Sequence, residues 1–189
     1  MSKLFELKEW LLLSDGAAYL STALSEPVRE TDLLQLGIEK KLTLSAIFHD
    51  HCFGQLAKVV PTDQAPRMSK ESVGGADVIL GKKLNSTETL VFGGGKFRSI
   101  RGLFDLPMIG AESNFVMQAF QTLTGGPEIE ATNVQGTFAR EPSTGEYFQL
   151  YLSKETPRKG SNFGSMWDPL FLLPNRTQLV VITKVLNNF

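Results

Sequence analysis

The sequence predicts an α+β fold: an N-terminal helix-turn-helix with a β wing, followed by a mixed or antiparallel sheet with one short packed helix. Three observations lead there. Residues 10–48 switch from helical to strand periodicity, one later stretch near residues 113–123 keeps helical spacing, and most of the remainder alternates between turn-forming clusters. On this reading the 189 residues divide into a winged helix-turn-helix-like segment, 1–60, and a β-rich domain, 61–189, whose first part, 61–89, is a polar linker.

The first helix starts at about Asp15. Ser14 is placed to cap it, Asp15 suits the positive end, and Leu13 can staple onto Ala18. Ala17, Leu20 and Leu24 recur at helical spacing, and Ser25-Glu26-Pro27 ends the helix. A second helix spans Glu30 to Glu39 on the apolar set Leu33, Leu34, Leu36, Gly37 and Ile38, although Arg29 is no capping residue. Leu42, Leu44, Ala46 and Phe48 then alternate, which is the signature of a half-buried strand and the basis for the wing.

Pro61 to Thr89 has no sustained period and reads as loop, with one short strand at Val78-Ile79-Leu80. Gly93-Gly94-Gly95-Lys96 reads as a hairpin turn or joint, and Phe97 to Phe104 as a strand with a bulge near Ile100. Ser113 begins the packed helix, which Gly125-Gly126-Pro127 stops. Glu128 to Thr132, Thr137 to Arg140, Tyr147 to Leu152 and Gln178 to Lys184 are strand-like, in a sheet of about four to six strands. Leu179-Val180-Val181-Ile182, apolar on both faces, belongs at a sheet centre.

Charge and composition narrow the function classes. Net charge is −1, and residues 1–60 hold six Lys/Arg against eight Asp/Glu, so no broad basic face marks a nucleic-acid partner. The single Cys52 excludes an internal disulfide and fits a reducing compartment. The absence of a leader-like start or membrane-length apolar run predicts a cytoplasmic protein with no membrane partner.

Chemistry-bearing motifs are sparse. His49 and His51 would share one side of a strand beside Cys52, yet no other Cys or His exists to complete a metal site. The better reading is a polar strand end with a buried thiol. The stretch Gly75 to Lys83 fails the phosphate-loop spacing, with Ala76 at the first glycine position and Lys83 at the hydroxyl position. No nucleophile elbow or metal signature is present, so no catalytic residue, metal ligand or cofactor is assigned and the chain is read as a non-enzyme.

Two surfaces remain. Gln35, Lys40 and Lys41 on or after the second helix are the candidates for contact with double-stranded DNA. Arg158, Lys159, Phe163 and Trp167 form a secondary candidate surface, basic and aromatic, for nucleic acid or a protein. The competing reading of the latter is that Phe163 and Trp167 pin a long loop onto the sheet.

The helix, turn, helix and strand order of residues 10–48 resembles the DNA-binding modules of excisionases and MerR-type regulators. More widely, Trp10 with Ala17-Ala18-Tyr19-Leu20-Ser21, Leu42-Thr43-Leu44-Ser45, Asp105-Leu106-Pro107-Met108-Ile109-Gly110-Ala111-Glu112, Leu123-Thr124-Gly125-Gly126-Pro127-Glu128 and Leu179-Val180-Val181 resemble a family of uncharacterised bacterial proteins often met near mobile elements. That resemblance implies no established activity. The helix-turn-helix outline and Lys40-Lys41 predict a DNA-associated regulatory or accessory role of mobile-element type, the alternative being a protein-interaction module, through a partner or self-association, without nucleic-acid binding or catalysis.

Overall fold

The structure, a computed structural model, describes residues 7–68, 78–130, 136–153, 167–174 and 176–187. In chain order the elements are β1 (Trp10–Leu12), α1 (Leu13–Leu24), α2 (Glu30–Ile38), β2 (Ser45–Pro61), a 3₁₀ turn (Thr62–Gln64), β3 (Arg67–Met68), β4 (Val78–Ile79) and β5 (Lys82–Lys83). There follow β6 (Glu88–Asp105), α3 (Ala111–Thr124), β7 (Phe138–Arg140), β8 (Tyr147–Ser153), β9 (Trp167–Pro169), β10 (Thr177–Ile182) and α4 (Thr183–Leu186). The class is mixed α+β, and the strand pairings among the described residues are antiparallel.

An eight-stranded sheet runs β1-β10-β2-β6-β7-β8-β9, with β5 added on β6, while β3 and β4 form a separate ladder. β2 and β6 are the frame. One edge of β2 follows β6, and its other edge pairs first with β10 and then with β8. Because β7 bonds both β6 and β8, the strands β2, β6, β7 and β8 close a hydrogen-bonded circuit. Phe48, Phe104 and Phe148 fill it: Phe48 stacks on Phe104 at 5.7 Å, and Phe104 meets Phe148 edge-on at 6.3 Å. Leu20 of α1, Leu33 and Leu34 of α2 and Val116 of α3 join the same core. Burying each such side chain contributes roughly 1.5–3 kcal/mol.

Several expectations change. The strand after the two helices is no wing: residues 45–48 begin the 17-residue β2 and are paired on both edges, by β10 and by β6. Local alternation reported a strand correctly but carried no information about its neighbours. Strands from both sides of residue 60 share the one sheet. The sheet is also larger than four to six strands, since β2 and β6 are long enough to pair with several partners each.

Ser14 lies inside α1 rather than capping it; the N-cap is Leu12, the last residue of β1, with no side-chain bond. The start of α2 is fixed from within, because Arg29 N–H donates to the Asp32 carboxylate at 2.7 Å. Gly93–Lys96 is no hairpin. It is a bulge inside β6, where the register against β2 slips between Phe92 and Phe97. The irregularity expected near Ile100 is present, but the extra residues belong to β2, between Phe48 and Cys52. The last strand stops at Ile182 and Thr183 begins α4, with Thr183 Oγ1 donating to the Lys8 carbonyl at 2.6 Å. Residues 128–130 form no strand, and the rest of that expected element lies outside the described residues.

Candidate functional site

The register of the sheet lines up four polar side chains in one row. Ser45 of β2 faces Asp105 of β6, Asp105 faces Arg140 of β7, and Arg140 faces Tyr147 of β8. Directly opposed residues point to the same side of an antiparallel ladder, so the four meet. Ser45 Oγ donates to Asp105 Oδ1 at 2.7 Å, Arg140 Nη1 donates to Asp105 Oδ2 at 3.2 Å, and the Arg140 guanidinium lies 5.9 Å from the centre of the Tyr147 ring. Burial raises the Asp105 carboxyl above its ordinary value against the opposing pull of Ser45 and Arg140. Burial likewise raises the Tyr147 phenol, so Tyr147 keeps its proton at neutral pH.

The row opens into a cleft of about 160 Å³ bounded on the other side by the end of α2. Lys40, Asp105, Met108, Arg140 and Tyr147 line it. Lys40 is held there by the way α2 ends. Lys41 N–H donates to the Leu36 carbonyl and Lys40 N–H to the Gly37 carbonyl, the paired bonds of a Schellman cap, and Lys40 takes the left-handed conformation with φ of 58°. Met108, across the cleft, also has a positive φ, 55°. Lys82 of β5 is close by: burial lowers its ammonium pKa, the Glu112 charge raises it, and the Lys40 charge lowers it further.

Glu112 is fully buried at the start of α3. Its carboxylate accepts from the backbone N–H groups of Ile109 at 2.7 Å, Gly110 at 2.8 Å and Phe138 at 3.0 Å, tying the α3 entry to β7. Burial outweighs these donors and holds the carboxyl above its ordinary value.

Gln35 and Lys41 do not reach the cleft lining with Lys40. They lie on the exposed side, where Gln35 Nε2 donates to Glu39 at 2.9 Å and Lys41 pairs with the same carboxylate at 2.7 Å. Glu30 and Asp32 stand on the first turn of α2. Of the secondary surface, Arg158, Lys159 and Phe163 lie outside the described residues, and Trp167 opens β9 opposite Ser153. His49 and His51 are exposed on β2, and His51 Nδ1 is 3.0 Å from Ser99 Oγ. Cys52 is buried, which pushes its thiol up to about 12. Among the described residues no three His, Cys, Asp or Glu side chains gather as a metal site.

One apolar feature was not expected from the sequence. Leu170 and Leu173 are buried, yet Phe171 and Leu172 between them are 48% and 65% exposed. The backbone here is clamped: Leu170 N–H donates to Leu150, Thr137 N–H donates to Leu170, and Thr137 Oγ1 donates to the Leu172 carbonyl. The two side chains are therefore displayed from a fixed support. Their neighbours in sequence are also apolar, so the sequence alone does not tell which of the four face outward.

Fold and cleft define an antiparallel α+β sheet protein with a charged groove at the end of its second helix. No family model, curated protein or solved structure matches the chain. No described helix is long and apolar enough to cross a membrane.

Proposed function

We propose that this chain is a protein-interaction module that self-associates through the surface bearing Phe171 and Leu172. The carrying observation is that pair of large apolar side chains, held outward on a clamped backbone between two buried leucines. Fixed apolar anchors lose little side-chain freedom on docking, which favours them as the centre of an interface. A net charge of −1 leaves little repulsion between two copies.

The alternative, a DNA-associated role through the α1–α2 pair, meets an electrostatic obstacle. The outward side of α2 carries Glu30, Asp32 and Glu39, and Glu39 already occupies both Gln35 and Lys41. Duplex binding draws most of its affinity from neutralising phosphates, and this face has few free cations to do so.

Sedimentation velocity on the intact chain tests the proposal. The wild type sediments as a dimer, and the double variant Phe171→Ser, Leu172→Ser as a folded monomer with unchanged circular dichroism. A wild type that stays monomeric at high concentration removes the self-association reading. Fluorescence anisotropy with a labelled duplex at low salt tests the alternative: steeply salt-dependent binding that is lost when Lys40 and Lys41 are both changed to Gln restores the DNA role.

A further inference from the structure

The geometry points to the cleft between the end of α2 and the Asp105–Arg140–Tyr147 row as a binding site for a small phosphoryl-type oxyanion, a role independent of self-association. Its lining has an excess of unspent donors. Both Asp105 oxygens are engaged, one by Ser45 and one by Arg140, so the acid is already satisfied by the protein. Arg140 spends only Nη1 on it, and among the described residues its Nη2 and Nε make no hydrogen bond. Lys40 has no ion-pair partner among the described residues, because its neighbour Glu39 is taken by Lys41.

A second observation concerns the backbone. Lys40 occupies the left-handed position that closes α2, where glycine would be cheaper, and Met108 on the opposite wall is also left-handed. Non-glycine residues held in this region gather at ligand sites, where surrounding structure over-determines them. Tyr147 adds a protonated hydroxyl to the same wall. At about 160 Å³ the space suits a tetrahedral anion with at most a small attached group, well below the ordinary size of a site for a larger ligand.

Isothermal titration of the intact chain with inorganic phosphate, against acetate at equal ionic strength, tests this. Phosphate binds and raises the melting temperature. Lys40→Gln weakens phosphate binding by about tenfold, the scale of one charge-assisted hydrogen bond. Lys41→Gln, on the outer face, leaves it unchanged. The proposal is overturned by the absence of both heat and melting shift with millimolar phosphate, by acetate binding as tightly as phosphate, or by Lys41→Gln weakening binding as much as Lys40→Gln.

Discussion

Replacing Lys40 by glycine separates what the backbone wants at the end of α2 from what the cleft wants. Lys40 has φ of 58° and is exposed, so the substitution removes a left-handed side chain without emptying any packed space. The left-handed conformation costs a residue with a Cβ roughly 1–2 kcal/mol. Glycine's extra freedom in the unfolded chain returns about 0.4–1 kcal/mol of that. The expected net gain is about 0.5–1 kcal/mol, with a rise in melting temperature of roughly 2–3 °C for a chain of this size. Urea titration measures it as a higher midpoint at unchanged slope, which keeps the comparison free of changes in unfolded-state compactness. The matched control is Lys41→Gly, one residue on, which has no positive φ and pairs with Glu39 at 2.7 Å. That control loses stability, by about 0.5–1 kcal/mol, the usual scale for glycine introduced without a conformational need. If Lys40→Gly is no more stable than wild type, or if both substitutions move stability the same way, the Schellman-cap reasoning fails. In the same samples Lys40→Gly weakens phosphate binding by about tenfold, so stability and binding move in opposite directions. Such an inverse pair is the mark of a residue retained for a ligand at local conformational cost.

Two other perturbations probe the support beneath the cleft. Glu112→Ala strips the acceptor from the N–H groups of Ile109, Gly110 and Phe138 and costs about 3–5 kcal/mol in urea titration, as expected for several buried donors left unpaired; a loss under about 1 kcal/mol would refute the anchoring role. Asp105→Asn reads out pH linkage. The Asp105 carboxyl is raised above its ordinary 3.8 by burial, so the folded state holds that proton more tightly than the unfolded chain, and the stability it contributes is full below 3.8 and lost as pH rises through the folded value. Asparagine does not titrate, so the stability difference between variant and wild type shifts in favour of the variant as pH rises across that window. A difference that stays flat, or runs the other way, shows that Asp105 does not ionise under desolvation strain.

What the sequence made legible was local. The span of α2, the stop of α3 at Gly125 and the burial of Cys52 each follow from neighbours within a few residues, whereas β10, apolar on both faces, lies one strand from the sheet edge beside the short β1 rather than at its centre. What it hid was register. The glycine run at 93–96 carries the same signal for a hairpin as for a bulge, and only the continuation of β6 against β2 decides between them. Trp10–Leu12 is too short to announce a strand, and its partner β10 is near the opposite end of the chain. The cleft belongs to this second kind of information. Asp105, Arg140 and Tyr147 stand in unremarkable strand positions, and no spacing rule links them; they become a polar row because β6, β7 and β8 pair in one register. Lys40 was visible as a cation after a helix, but its direction depends on a left-handed cap that sequence favours only for glycine. A shift of β7 by one residue against β6 and β8 would turn Arg140 to the other face, leave Asp105 buried without its cation, and separate Lys40 from the row it faces. The site is therefore a property of pairing, and it stands or falls with the hydrogen-bonded circuit that fixes that pairing.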